Sequence, residues 1–365
     1  MDVRHRARYQ TAMGGSKWLN PGPRAVGWWL LALAALIAAM VVVGGLTRLT
    51  GSGLSITEWQ PVSGVIPPLS HRDWMTEFDH YKTIPQYRYE NPNMTLEQFK
   101  GIFWWEWAHR LLGRAIGFVF LIPFLWFAWR GAIARRNWPR FVLLFVLGGL
   151  QGAVGWWMVE SGLETRVSVA PYRLAIHLGV ALVLLAAIIW TALEYLRPNI
   201  PAPPRGKTVG VRGISTLALI LPALVYLQML LGALVAGLQA GYIYNTWPSM
   251  NGRVFPEHMF ILSPWYRNFT ENPGLAQFDH RFVAYCIGIA AIALWLWSRR
   301  LNIRGLAQRV CDLVLVLVFA QIALGIATLV NQAPLSLSSL HQTLAVCVLG
   351  ATLWLAYEVI SRRQV

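Results

Sequence analysis

Eight long apolar stretches constrain the fold of this 365-residue chain more than any other feature. They lie at about 25–46, 105–130, 138–159, 172–195, 213–238, 277–298, 307–330 and 336–360. A helix needs roughly 20 such residues to cross the hydrocarbon core of a bilayer. Backbone polar groups in lipid must be hydrogen-bonded within their own segment, so each stretch is predicted to be helical. The sequence therefore predicts an all-α polytopic membrane protein with eight transmembrane helices in a lipid bilayer.

The distribution of charge predicts how these helices are oriented. Of the 31 Lys and Arg residues, 19 lie in the N-terminal segment, in alternate loops and at the C-terminus, together with only four of the 16 Asp and Glu residues. Loops with an excess of positive charge stay in the cytoplasm, so both termini are predicted to be cytoplasmic. The net charge of +15 is thus a signal of topology, and we expect no nucleic-acid binding. The first stretch lacks a small-residue cleavage site, which predicts a retained helix rather than a signal peptide.

The second group of four helices repeats the first. Residues that match without gaps are Gly44 and Gly232, Gly53 and Gly241, and Trp59 and Trp247. Further along the chain, Gln151 and Gly155 match Gln321 and Gly325. An even number of spans in each unit gives both halves the same orientation. We therefore predict two pseudo-symmetric four-helix bundles related by an axis along the membrane normal.

The predicted domains follow this duplication. They are a cytoplasmic N-terminal segment at 1–24, an N-terminal four-helix bundle at 25–195, a Pro-rich cytoplasmic linker at 196–212, a C-terminal four-helix bundle at 213–360 and a cytoplasmic tail at 361–365. Small residues are expected to allow close helix approach at Gly148, Gly149, Gly152 and Gly155. All three cysteines lie in or at the ends of spans, so no disulfide framework is indicated.

Four histidines lie at matched places in the duplicated chain, namely His109 and His177 in the first half and His280 and His341 in the second. Each is expected within about the first two turns of its helix, at a similar depth near the outer surface. Two imidazoles on different helices of one bundle can bind the two faces of a haem iron. A single membrane histidine can also be a packing residue. Intramembrane ionisable residues are costly, however, so a pattern that occurs twice favours two bis-histidine metal sites.

Metals other than haem iron fit this pattern less well. Zinc and copper sites take further ligands such as Cys or a third His, and neither half has a matched third ligand. Haem supplies four equatorial nitrogens itself. Arg110 and Arg281, each next to the first histidine of its pair, are candidates for contacts to haem propionates. Interfacial snorkelling is the other interpretation of these two arginines.

One position breaks the repeat in a way that suggests chemistry. Glu106 lies three residues before His109 on the same helix face, whereas the matching position before His280 is Gln277. A carboxylate beside only one of the two sites predicts that only the first half handles protons, with Glu106 as the general acid–base group. The alternative is an interfacial carboxylate paired with Arg110 or Arg114.

The chain resembles the haem A synthase family, membrane enzymes that convert haem O to haem A for terminal cytochrome oxidases. The resemblance rests on Gly-Gly-Leu-Thr-Arg-Leu-Thr-Gly-Ser-Gly-Leu-Ser, Glu-Trp-Gln-Pro, Glu-Trp-Ala-His-Arg, Asn-Thr-Trp-Pro-Ser-Met-Asn-Gly, Phe-Asp-His-Arg and the two later histidines. These segments extend from the first helix to the last. Some family members have a cysteine pair in the first outer loop, and this chain does not, so it resembles the proteobacterial and mitochondrial branch.

The resemblance implies an activity and a role for each site residue. The C8 methyl group of haem O would be oxidised to a formyl group by successive hydroxylations. His109 and His177 would bind the substrate haem, with Glu106 as the catalytic residue. His280 and His341 would bind a haem b cofactor that transfers electrons.

The resulting hypothesis is an oxidoreductase of haem A biosynthesis and cytochrome oxidase assembly in a bacterial plasma (inner) membrane, with its haem sites toward the periplasmic side. Expected partners are the enzyme that makes haem O and oxidase assembly factors, and the chain is also a candidate homo-oligomer. The alternative hypothesis is a non-enzymatic di-haem b electron-transfer cytochrome. The difference between Glu106 and Gln277 would have no function in such a protein. A third hypothesis is a transporter built from repeats, which would have helices interrupted near the membrane midplane. Pro123 and Pro222 lie inside spans, but such prolines more readily produce ordinary kinks than interruptions.

Overall fold

The computed structural model describes residues 22–198 and 208–360, and the regular structure of this part is helical. The eight long helices are α1 (Pro23–Leu49), α2 (Leu96–Trp129), α3 (Trp138–Glu160), α4 (Pro171–Leu196), α5 (Thr208–Gly237), α6 (Pro273–Arg300), α7 (Leu306–Val330) and α8 (Leu335–Ile360). All eight are long and apolar enough to cross a membrane, which confirms the predicted number of spans. The predicted tail, most of the N-terminal segment and the centre of the linker lie outside the described residues.

Helix α2 begins at Leu96, well before the apolar stretch predicted from about 105. The cause is a capping box, in which Thr95 Oγ1 accepts from the Gln98 backbone N–H at 3.3 Å and Gln98 Oε1 accepts from the Thr95 N–H at 2.9 Å. The added turns bury Phe99 and Phe103 against the first long loop. They also place His109 in the fourth turn of its helix rather than in the first two, so that prediction was wrong for His109.

The two prolines inside spans leave their helices continuous. Helix α2 runs through Pro123 and helix α5 through Pro222 without a break. An interrupted helix is the feature expected of a repeat-built transporter, and neither proline produces one.

The helix neighbours repeat between the two halves. In the first half α1 contacts α2 and α4, and α3 contacts the same two helices; α5 to α8 show the same ring of contacts. Between the halves α4 contacts α5, the equivalent pair α8 and α1 is also in contact, and α4 contacts α8. This pattern is compatible with the two predicted bundles. One apolar core extends through both halves, with Leu33 and Leu185 in the first and Leu221 and Leu349 in the second.

Three of the four glycines predicted to allow helix packing do not do so. A Cβ added to Gly148, Gly149 or Gly152 would meet no atom within 4 Å. Helix α3 buries few side chains, and these glycines lie on its exposed surface. The prediction was therefore wrong for these three, and only Gly155 is closely approached by a neighbour.

The two long connections, 50–95 and 238–272, follow equivalent helices and define what we call the long-loop side of the molecule. The first includes the helices His71–Lys82 and Pro85–Tyr89. Near the opposite side, Arg197 at the end of α4 forms an ion pair with Glu358 of α8, with 3.0 Å between Nε and Oε1. This ion pair joins the two halves of the chain.

Candidate functional site

The four predicted histidines lie toward the long-loop ends of helices α2, α4, α6 and α8. His177, His280 and His341 follow the starts of their helices by about two turns, as predicted. Proline occupies the first turn of α4 and of α6, where a missing N–H is tolerated. The histidines thus come from alternate helices, two in each half.

Each histidine packs against a glycine on a neighbouring helix. A Cβ added to Gly44 would lie 2.9 Å from Nε2 of His109, and one added to Gly155 would lie 2.8 Å from Cε1 of His177. In the second half the corresponding distances are 3.2 Å from Gly232 to His280 and 2.8 Å from Gly325 to His341, both to Cε1. Contacts below about 3.0 Å are closer than a real Cβ tolerates, so Gly44, Gly155 and Gly325 provide space that the imidazoles occupy, and the contact at Gly232 is tight but less restrictive.

A glutamine one turn before the glycine holds three of these histidines. Gln151 Nε2 donates to the backbone carbonyl of His177 at 2.9 Å and lies 3.2 Å from its Nδ1. Gln321 does the same for His341, at 3.0 Å and 3.1 Å. Gln228 donates to the carbonyl of His280 at 2.9 Å and lies 3.3 Å from its Nε2. The three glutamines therefore fix helix-to-helix positions at the histidines.

The imidazole rings of the second pair of histidines lie close to each other. The ring centroids of His280 and His341 are 6.5 Å apart, with 75° between the ring planes. Metal–imidazole bonds are about 2.0–2.1 Å long, so two facing nitrogens about 4 Å apart suffice to bind one metal. His280 Nδ1 is buried without a hydrogen-bond partner in the described part of the chain. These residues fit a haem iron bound between two imidazoles.

The first pair shares part of these surroundings, because both histidines pack against a glycine and His177 is held by Gln151. His177 is close enough to His109 for an electrostatic interaction between the two rings. Within 22–198 and 208–360, no group of three or more His, Cys, Asp or Glu side chains could hold a metal ion. A two-imidazole donor set suits haem, which brings its own equatorial ligands, better than it suits zinc or copper.

Glu106 is buried, with 2% of its surface exposed, and both of its oxygens are hydrogen-bonded. Oε1 accepts from Arg110, at 3.1 Å from Nε and 2.7 Å from Nη2. Oε2 accepts from Ser55 Oγ at 2.8 Å and from the Ile56 backbone N–H at 2.9 Å. The pairing with Arg110 is therefore present, but the carboxylate is enclosed by the first long loop rather than interfacial. Arg114 instead donates to the carbonyls of Gln60 and Pro61.

Gln277 occupies the equivalent place in the second half and is also buried, with 3% of its surface exposed. Its Nε2 donates to the carbonyls of Ala240 and Tyr244, at 3.0 Å and 3.2 Å. The carboxylate thus accepts hydrogen bonds from its loop, whereas the amide donates to its loop. The two halves therefore share this buried position but differ in the direction of its hydrogen bonds to the long loop.

Arg110 and Arg281 hold the two long loops in equivalent ways. Arg110 donates from Nη2 to the carbonyl of Ile56 at 2.8 Å and from Nη1 to that of Glu58 at 2.9 Å. Arg281 donates from Nη2 to the carbonyl of Tyr244 at 2.9 Å and from Nη1 to that of Thr246 at 3.0 Å. Its Nε is buried and has no partner among the described residues. Loop anchoring accounts for most of these donors, and the propionate contact of each arginine stays a prediction.

Sequence reasoning missed the residues that hold the histidines. The pattern Gln-x-x-x-Gly occurs at 151–155, 228–232 and 321–325, always on the helix packed against a histidine. Two of the three glutamines are visible as repeat matches, but Gln228 has no glutamine counterpart in the first half. A glutamine and a glycine four residues apart share one helix face, which is the signal that could have revealed them.

The fold and these sites define a class: duplicated eight-helix membrane proteins with a pair of histidines in each half. Within that class the chain belongs to the COX15-CtaA family, described as "Cytochrome oxidase assembly protein", whose match covers residues 27–353.

Curated relatives match this chain over nearly its whole length. A Nitrosospira multiformis protein named "Heme A synthase" is 47% identical over 338 residues, 92% of this chain and 93% of the relative. Proteins of the same name from Bradyrhizobium diazoefficiens and Rhodopseudomonas palustris are 49% and 51% identical, covering 93% and 92% of this chain and 93% and 91% of their own. The family assignment agrees with the resemblance found in the sequence.

Proposed function

We propose that this multi-pass membrane protein is a haem A synthase, an oxidoreductase that converts the C8 methyl group of haem O to a formyl group. The observation that carries the proposal is the difference between Glu106 and Gln277 beside two otherwise matched histidine sites. An electron relay needs no such difference. An enzyme with one substrate site and one cofactor site needs the two sites to differ chemically. The shared name of the relatives also supports this activity.

In this proposal each half holds one haem. His109 and His177 bind the substrate haem in the first half, and His280 and His341 bind a haem b cofactor in the second. A haem iron supplies one-electron redox chemistry when it is bound. The glycines opposite the four histidines leave room for the imidazoles, and the surrounding helices share an apolar core.

Glu106 accepts a proton during the oxidation at the first site. Arg110 and the Ile56 N–H keep their protons, so Ser55 Oγ is the one hydrogen-bond donor to Glu106 that can exchange its proton. A proton taken up at Oε2 can therefore exchange with the Ser55 hydroxyl, which also lies 3.4 Å from the carbonyl of Ile102. Arg110 limits the cost of keeping this buried carboxylate charged between turnovers. Arg110 and Arg281 also remain candidates for propionate contacts, with the free Nε of Arg281 available for one.

The proposal includes a location and partners. Both termini face the cytoplasm of a bacterial inner membrane, and the long-loop side with the four histidines faces the periplasm, as the positive-inside rule predicts. The protein receives haem O from the enzyme that makes it and delivers haem A to oxidase assembly factors. Self-association of copies in the membrane belongs to the same hypothesis.

The test is haem extraction and chromatography from cells that make haem O, expressing the wild type, Glu106→Gln or Glu97→Gln. Glu97 lies on the same helix but is exposed and paired with Lys100, so it is the matched control. We expect haem A with the wild type and the control, and none with Glu106→Gln, which should still bind haem b. Haem b alone in every sample, despite available haem O, would support the electron-transfer cytochrome instead.

A further inference from the structure

One of the four histidines lacks the contact that the other three share. The residue one turn before the opposing glycine is Gln151, Gln228 and Gln321 in three cases, and in the fourth it is Met40, before Gly44. The ungapped alignment that places Gly44 on Gly232 also places Met40 on Gln228. Met40 and Gln228 are therefore equivalent residues beside the first histidine of each pair.

The side chain of Met40 makes an apolar contact in place of a hydrogen bond. Its Cε lies 3.2 Å from the position of a Cβ added to Gly113, one turn after His109. The equivalent of Gly113 in the second half is Ala284, so the glycine accommodates the larger methionine. A thioether has no hydrogen to donate and accepts only weakly. Among residues 22–198 and 208–360, glutamines reach the rings of His177, His280 and His341, and no such hydrogen bond is found at the ring of His109.

The glutamines and the methionine differ in what they do to a ligand histidine. Each glutamine ties the histidine's backbone carbonyl to the facing helix, and its other amide atom, Oε1, is buried without a partner among the described residues. The amide nitrogen of each glutamine also lies 3.1–3.3 Å from a ring nitrogen of the same histidine, so the glutamine restrains the imidazole as well as the backbone. His109 has no such restraint from Met40, which carries no amide.

We propose that Met40 is a positioning residue that makes His109 the releasable member of the four haem ligands. This inference rests on the proposed function, since a substrate site must release its haem in every cycle and a cofactor site must keep it. The three glutamines hold His177, His280 and His341 as permanent ligands. A haem bound in the first half would then lose its bond to His109 first, while His177 still holds it in position.

The test measures haem loss from the purified, haem-loaded full chain to excess apomyoglobin, followed by absorbance. The wild type should lose haem in a fast and a slow phase, from the first and the second half. Met40→Gln should slow the fast phase roughly 2- to 10-fold, the range expected for one added hydrogen bond. Gln228→Met should accelerate the slow phase by a similar factor. Met40→Leu, which also lacks a donor, is the matched control and should keep the fast phase.

The inference would be overturned if the wild type lost haem in a single phase. It would also be overturned if the rates of haem loss were unchanged in both Met40→Gln and Gln228→Met. If Met40→Gln fails to fold, the reciprocal variant still tests the claim at His280. Failure of the proposed function is seen separately, because haem extraction from the wild type would then yield no haem A even when both phases respond as expected.

Discussion

Gly155 lies so close to His177 that a Cβ on the glycine would stand 2.8 Å from Cε1 of the imidazole. The pair joins helices α3 and α4 at the first proposed haem site. A glycine packs against the imidazole in this way at all four histidines, at 2.8–3.2 Å from the added Cβ, so we expect these glycines to matter for the proposed haem sites.

Gly155→Ala is expected to weaken haem binding in the first half by about 10- to 100-fold, the effect typical of changes beside a metal ligand. The added methyl group would force the imidazole of His177 out of position. Gly152→Ala, three residues earlier, is the control, because its Cβ would meet nothing within 4 Å. Haem titration followed by absorbance measures both. Equal haem affinity in the two variants would contradict the role assigned to Gly155.

Arg110→Gln is expected to lower the free energy of unfolding by about 3–5 kcal/mol, since it leaves the buried Glu106 carboxylate without its cation. The double variant Arg110→Gln/Glu106→Gln should recover part of this loss, because no buried charge remains. Arg281→Gln is the matched control and should cost less, as its neighbour Gln277 is neutral. Unfolding in detergent micelles measures all three. A double variant less stable than the sum of its single changes would refute the explanation.

Arg197→Gln should also be destabilising, by about 3 kcal/mol, because Glu358 is fully buried and would lose its cation, keeping only the hydrogen bond from Trp354. The value is at the low end for a buried pair, since Arg197 is 38% exposed. Arg140 forms a comparable ion pair with Glu194, but both side chains are exposed, at 48% and 37%. Arg140→Gln should therefore change the free energy of unfolding by less than about 1 kcal/mol. The comparison of the two variants under the same detergent conditions tests whether burial sets the difference. Similar losses in both would show that it does not.

The stability of the first long loop should depend on pH through Glu77. Burial raises the pKa of Glu77 above its ordinary value of 4.5, with Glu58 and Glu106 adding to the effect and His80 and Arg110 opposing it. A raised pKa in the folded state means that the stabilisation from this group is complete below about 4.5 and is lost as the pH rises through the folded pKa. Glu77→Gln should thus become more stable relative to the wild type across that window.

Asp73 in the same helix provides the opposite case. Hydrogen bonds from the backbone and side chain of Ser70 lower its pKa, so its stabilising effect is lost as the pH falls. Asp73→Asn should therefore differ most from the wild type above the pH at which aspartate ionises. Thermal unfolding across a pH series measures both variants. The same direction of change in the two would contradict these assignments.

The sequence was sufficient to predict most of the fold, because membrane helices are determined by local composition. Eight spans, the duplication and the four histidines followed from hydropathy and from matched residues. The start of α2 was missed because its first turns carry charged and aromatic residues, which lower the hydropathy of this segment. Thr95 and Gln98, however, match the sequence pattern of a capping box. Hydropathy alone does not distinguish a helix that extends beyond the membrane from a loop.

The contacts of Arg110 and Arg281 could not be predicted in the same way. Both donate to backbone carbonyls of long loops, and a carbonyl is present at every residue, so no residue type marks these partners. The surroundings of Glu106 depend on the same loop conformation. The glutamine contacts were partly visible, since their four-residue spacing from glycine follows helix geometry, but their function required the packed helices.

All four histidines lie toward one side of the membrane helices, which has an energetic consequence for electron transfer. Under the proposed function, an electron that passes between the two haems travels parallel to the membrane plane. Moving one charge across a membrane costs or releases about 2.3 kcal/mol for each 100 mV of potential, whereas lateral movement does no such work. This transfer between the haems should therefore proceed at the same rate in energised and de-energised membranes.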